Sequence, residues 1–214
     1  MTAAAPPPPS SRGPAAPASA AAAAAAAAAV AAPPAAATTA PRVTPPTSYT
    51  PPPPGERRTS AHVAAARAYL SARGVGGAAD PPLVLYDGAC GLCDGAVRTL
   101  LAADRAGVFT YAPLQGSVGT AACVAYGAPT DLSTMVFVEG GTAYIRSDAP
   151  LRIAARLSPA ARVAATAALA APRLLRDGAY DTVAVNRYDW FGTSSGEGVG
   201  GVLTPEQRAR FYLD

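Results

Sequence analysis

The first fifty-five residues constrain this chain most, because they withhold from it the material of a core. They hold fifteen of the twenty-three prolines, a long alanine run, two arginines and no acidic residue. Fixing one residue's backbone costs about 1–2 kcal/mol, and burial of large apolar side chains must offset that cost. The stretch has almost no such side chains and no hydrophobic period. The folded part of the chain is therefore expected after it.

Rich in Ala, Pro, Ser and Thr, sparse in Arg and free of acids, the segment has the character of an organelle transit peptide, chloroplast type more than mitochondrial. The alternatives are a secretory signal with the alanine run as its apolar region, though only Arg12 precedes it, or a plain Pro/Ala tail. Processing is expected between residues 40 and 80. The expected compartment is the chloroplast, with the mitochondrion or the secretory pathway as alternatives. The run from Ala20 to Ala32 is thirteen residues long, all alanine except Val30. A span needs about 20 strongly apolar residues, so no membrane span is expected. Beyond residue 55, fifteen arginines face fourteen carboxylates. That balance is no nucleic-acid footprint.

The expected division is a leader over 1–58, a helix and linker over 59–81, and a globular domain over 82–214. The helix runs from Ser60 to Arg73, with Ser60 as its cap, Val63, Ala66, Tyr69 and Leu70 on one face, and Gly74 as its stop. It is either the end of the targeting region or a lead-in helix. Leu83-Val-Leu-Tyr86 then reads as a short strand buried on both faces. Asp87-Gly88 turns the chain into a helix that begins near Cys90 or Leu92 and ends at Asp104. A second strand over 108–112 and a helix over 117–126 follow. Next come a hairpin, 134–138 and 142–145, around Gly140-Gly141, and helices opened by Ser147-Asp148 and Ser158-Pro159. Thr204-Pro205-Glu206-Gln207 opens a short terminal helix. The order β-α-β-α-β-β-α with additional C-terminal helices is that of the thioredoxin-like α/β fold.

Of the three cysteines, Cys90 and Cys93 stand two residues apart, directly after the buried strand and at the opening of a helix. Residues three apart on a helical turn are neighbours at about 5–6 Å between Cβ atoms, and Gly91-Leu92 lets the turn tighten into a disulfide. Unpaired N–H groups and the positive end of the helix dipole favour the thiolate of Cys90. Cys90 is thus the expected nucleophile and Cys93 the resolving thiol of a thiol–disulfide exchange. Asp87 is either a proton acceptor for a cysteine or a turn residue ahead of the helix. Asp94 complements the helix dipole. The alternatives for the pair are a non-enzymatic redox sensor or interaction module, buried structural cysteines, and half of a zinc site, whose further ligands would have to come from His62 and Cys123. Cys123 itself fits a small core residue better than a redox partner. No metal and no other cofactor is expected.

The segment Leu85-Tyr86-Asp87-Gly88-Ala89-Cys90-Gly91-Leu92-Cys93 resembles the signature of the DCC family of thiol–disulfide oxidoreductases. The likeness continues through Ala112-Pro113-Leu114-Gln115, Tyr144-Ile145-Arg146-Ser147, Arg176-Asp177, Tyr180-Asp181 and Asn186-Arg187-Tyr188-Asp189-Trp190-Phe191-Gly192. It implies a thioredoxin-like fold, a redox role, and a protein or small-molecule thiol or disulfide as substrate, with a separate electron donor. Plant members of this layout carry chloroplast leaders. The proline that faces the cysteines in ordinary thioredoxins would fall near Ser133-Thr134, where there is none. Tyr86, Ser133, Thr134 and Arg187 are the candidates for shaping the site. Arg187 either brings a cation toward the thiolate or pairs with Asp177 or Asp181. Trp190 and Phe191 either anchor the last helix to the core or, with Tyr188, cover one side of the site.

Overall fold

A computed structural model describes residues 49–53, 55–194, 199 and 203–213. The leader, apart from its last residues, therefore lies outside the described residues. The elements are α1 (Ser60–Ser71), β1 (Leu83–Tyr86), α2 (Gly91–Ala103), β2 (Thr110–Pro113), α3 (Ser117–Tyr126), β3 (Val136–Glu139), β4 (Thr142–Ile145), α4 (Asp148–Leu157), α5 (Pro159–Leu169), α6 (Arg173–Phe191) and α7 (Pro205–Arg208).

The four strands form one mixed sheet in the order β2-β1-β3-β4. β1 pairs parallel with β2, with Leu83 opposite Thr110 and Tyr86 opposite Pro113. A parallel pair needs a crossover connection, and α2 supplies it. β3 pairs antiparallel with both β1 and β4. Its two-residue hairpin loop, Gly140-Gly141, has φ of 56° and 76°, the left-handed conformation such a loop requires. This is the thioredoxin-like arrangement expected from the element order.

Central position and cover on both sides bury all four side chains of β1. Leu83 and Leu85 point to one face, where Val118, Ala122 and Val124 of α3 and Ala66, Tyr69 and Leu70 of α1 pack. Val84 and Tyr86 point to the other, against Val97 and Leu100 of α2 and Ala149 and Ile153 of α4. Each of the valines, leucines and isoleucines among them contributes about 1.5–3 kcal/mol on leaving water. Helix α1, whose cap is Thr59 in a reciprocal box with His62, is thus packed onto the same core as the sheet. Arg58, just before it, donates to the carbonyls of Cys123 and Ala128 at the end of α3.

Two strands start later than expected, each for a local reason. The carboxylate of Asp104 accepts the N–H groups of Val108 and Phe109 at 2.9 and 3.0 Å, so those residues cap the end of α2 before β2 begins. Likewise the N–H of Met135 goes to the Tyr180 hydroxyl at 3.0 Å, and β3 opens at Val136. The chain's last residues return to the outer edge of β2. Tyr111 donates to Arg210 O and accepts from Tyr212 N at 2.9 and 2.8 Å, and Phe211 stacks on Tyr111 with ring centroids 4.8 Å apart. An edge strand is thereby covered.

Candidate active site at the strand-to-helix junction

β1 ends at Tyr86, and the next seven residues carry the chain from the middle of the sheet into the first turn of α2. Cys90 is the N-cap of that helix, with extended backbone (φ −99°, ψ 122°) and a carbonyl that accepts from Asp94 N at 3.0 Å. Cys93 lies one turn on, beside Cys90. Both are free thiols. Cys90 is wholly buried and Cys93 partly exposed. Burial, then the negative charge a Cys90 thiolate would bring, push the Cys93 thiol up to about 12. Cys93 is therefore held protonated near neutrality. Cys123 belongs to the core on the opposite face of the sheet, where burial pushes its thiol up to about 12.

Asp87 is the polar hub of the junction. One carboxylate oxygen accepts from Ala89 N at 3.0 Å and Gln115 Nε2 at 2.7 Å; the other accepts from Arg187 Nη2 at 3.2 Å and from the Tyr188 hydroxyl. Burial alone would raise its pKa, but the hydrogen bonds from Tyr188, Ala89, Gln115 and Arg187 outweigh it and hold the carboxyl below its ordinary range. A carboxylate saturated by four donors is a weak base.

Arg187 pairs with neither Asp177 nor Asp181. Its guanidinium reaches Asp87 and also donates to Leu132 O at 2.9 Å. Asp181 pairs instead with Arg146, and Asp177 accepts from Ser147. Trp190 and Phe191 do not anchor α6 in the core; they are 56% and 43% exposed and pack edge-on against each other. No described side chain of α6 is buried in the core. The helix is held by polar contacts along one side: Arg173 and Arg176 to Asp148, Asp177 to Ser147, Tyr180 to the Thr134–Met135 segment, and Arg187 and Tyr188 to Asp87.

Tyr86 is 3% exposed and set into the core beside Phe211, so it supports the junction from below. Ser133 is exposed. Thr134 is buried, and its hydroxyl is engaged by the Tyr180 hydroxyl at 3.1 Å, by Met135 O at 3.0 Å and by Arg146 N at 2.9 Å. Tyr180, which no spacing in the sequence marks as a site residue, thus fixes this loop, within electrostatic reach of Cys93. Among the described residues only Leu132 and Arg146 are non-glycine residues with positive φ, and both flank the loop. The Leu132 carbonyl is held by Arg187 and the Arg146 N–H by Thr134, so site contacts stabilise both left-handed conformations.

No local sequence signal marks the contact that follows α6. After α6, Gly192 (φ +71°) turns the chain back, and residues 192–194 lie antiparallel across Ala89–Gly91. Gly91 N donates to Gly192 O at 3.1 Å, and Ser194 N to Ala89 O at 2.9 Å. The approach is so close that a Cβ on Gly91 would stand 2.4 Å from Phe191 O.

Among the described residues no group of three or more His, Cys, Asp and Glu side chains converges, and no helix is long and apolar enough to cross a membrane.

A mixed sheet of order β2-β1-β3-β4, with two neighbouring thiols at the start of its first crossover helix, defines a protein of the thioredoxin-like class. Residues 84–193 match the family of DCC1-like thiol-disulfide oxidoreductases, and the chain belongs to that family. It is 35% identical over 111 residues to the uncharacterized protein YuxK of Bacillus subtilis (strain 168), covering 51% of this chain and 80% of that protein. It is 37% identical over 114 residues to a chloroplastic DCC family protein of Arabidopsis thaliana, covering 53% of this chain and 66% of that protein. No solved structure matches the chain. The family gives the chain a redox role of the thiol–disulfide type.

Proposed function

We propose that this protein is a thiol–disulfide oxidoreductase that works through Cys90 and Cys93. In the reducing direction the Cys90 thiolate attacks a substrate disulfide and forms a mixed disulfide, and the departing substrate thiolate takes up a proton. Cys93 then loses its proton and attacks the Cys90 sulfur. The Cys90–Cys93 disulfide forms and the second substrate thiol leaves, so two electrons pass from the dithiol to the substrate. The same steps reversed oxidise a dithiol. The observation that carries this is the placement of a helix-capping Cys90 beside a Cys93 that burial holds protonated one turn later. That asymmetry gives the nucleophile and the resolving thiol different positions. Asp87, held by four donors, acts in this scheme as the anchor of α6 over the dithiol rather than as its proton acceptor.

The test is a disulfide-exchange assay on the chain beginning at residue 49, comparing wild type with Cys90→Ser and Cys93→Ser. Turnover in wild type, none in Cys90→Ser, and a trapped mixed disulfide in Cys93→Ser is the expected pattern. A second reading, a redox sensor whose pair switches an interaction, is favoured by the complete burial of Cys90; pair oxidation without catalytic exchange would establish it. The transit-peptide composition of residues 1–58 and the chloroplastic relative support targeting to the chloroplast. A fluorescent fusion of that segment should enter the organelle, and retention in the cytosol would remove the proposal.

A further inference from the structure

The segment 192–194 runs antiparallel along Ala89–Gly91 and places Thr193 opposite Cys90. The two hydrogen bonds, Gly91 N to Gly192 O and Ser194 N to Ala89 O, flank Cys90 and Thr193, which face each other as the one bridged pair of the contact. In an antiparallel ladder this is a non-hydrogen-bonded pair, whose Cα atoms lie about 4.5 Å apart with side chains on the same side. Disulfides span Cα separations of about 4.4–6.8 Å, so a cysteine at the place of Thr193 is within bonding reach of Cys90. The segment is held lightly. The side chain of Thr193 is exposed, and the two backbone hydrogen bonds are its described ties to the junction. Gly91, with no Cβ, permits an incoming backbone at this distance.

We infer that Ala89–Gly91 is a docking edge for an extended polypeptide that presents its disulfide cysteine opposite Cys90, and that residues 192–194 occupy this edge until such a substrate displaces them. The inference rests on the proposed exchange chemistry for its substrate, but the strap itself is testable without turnover. The substrate is therefore a protein or peptide disulfide in extended conformation, bound by two main-chain hydrogen bonds. Attack follows the balance given above: Cys90–S bonds to the peptide sulfur and the peptide's other thiol leaves protonated. Specificity at this edge comes from backbone form, with a cysteine required at one register position.

Three measurements decide it. In a Cys93→Ser/Cys123→Ser background, Thr193→Cys should close a disulfide to Cys90 under oxidised glutathione; two persistently free thiols would refute the register. In the same background without that change, Ser194→Pro removes the N–H donated to Ala89 and Gly91→Ala drives a Cβ against Phe191 O. Each should raise iodoacetamide labelling of Cys90 about fivefold or more, the effect of one lost hydrogen bond. Labelling of the core thiol Cys123, followed in a Cys90→Ser/Cys93→Ser background, should not change. Unchanged Cys90 labelling in both variants, or an equal rise at Cys123, overturns the strap. Finally, a linear peptide carrying cysteine as a thionitrobenzoate mixed disulfide should react faster than cysteamine so activated, and methylating the N–H of the residue after its cysteine should abolish the advantage. Equal rates overturn the docking edge. Absence of release from every activated disulfide defeats the exchange chemistry instead, and leaves the labelling result to judge the strap.

Discussion

Asp87 and Arg187, a hundred positions apart, form an ion pair at 3.2 Å in which both side chains are largely withdrawn from water, 3% and 14% exposed. The pair joins the turn before Cys90 to the far end of α6. It brings the end of α6 against the turn that precedes the two cysteines. Removing one partner of such a pair leaves the other charge buried, which costs more than the pair contributes. Arg187→Ala should destabilise the fold by about 2–3 kcal/mol, moderated by the three donors Asp87 retains. Arg187→Lys, unable to reach Leu132 O and Asp87 with one planar group, should recover only part of it. Urea unfolding of the three proteins checks both.

The same carboxylate sets an acid limit. Its folded pKa lies below the reference value of 3.8, so the unfolded chain binds the proton more readily. Its contribution to stability is complete above that reference value and is lost as pH falls through the lower folded value. Asp87→Asn should therefore be less stable than wild type at neutral pH, with a gap that narrows as pH drops below about 4. Chemical denaturation at a series of pH values measures it. A gap constant down to about pH 2 would contradict the assignment.

Cys93 should be slow to alkylate. In Cys90→Ser the charge from its neighbour is gone but burial, the larger cause of its raised pKa, remains. Its labelling rate should keep climbing above the reference value of 9.0 instead of levelling there. A stopped-flow pH profile with iodoacetamide gives the answer.

Gly119→Ala tests how α3 meets β2. Alanine is the better helix former by about 1 kcal/mol. Yet a Cβ at 119 would stand 2.1 Å from Pro113 O and 2.9 Å from Leu114 Cα, both backbone atoms that cannot step aside alone. Overpacking should win, and the variant should lose about 1–3 kcal/mol in thermal or urea unfolding.

Helix α1 sets where a functional chain can begin. Ala66, Tyr69 and Leu70 are buried against α3, and Leu70→Ala should cost about 2–5 kcal/mol. A chain beginning at residue 49 should unfold in one cooperative transition; one beginning at 82 should not. Any processing that leaves a stable protein then falls before Arg58, toward the early part of the range the composition allows.

Local chemistry made much of this protein legible. A run of four apolar residues, a following Asp-Gly, and two cysteines at the mouth of a helix dictated the central strand, the turn and the dithiol, because each depends on neighbours within a few positions. The bounds of α3 and the capping box at Thr204 were readable for the same reason. Tertiary structure decided what lies on top of that frame. The partner of Arg187 is Asp87 rather than an acid on its own helix, because α6 crosses the junction with that side inward. The aromatic pair Trp190-Phe191 remains exposed because α6 is held by polar contacts, whereas hydrophobicity alone placed it in the core. Tyr180 beneath its helix, and the strap on Ala89–Gly91, depend on main-chain and hydroxyl hydrogen bonds between segments far apart in the chain. Such bonds follow geometry and not residue type, and only the folded chain brings them into being.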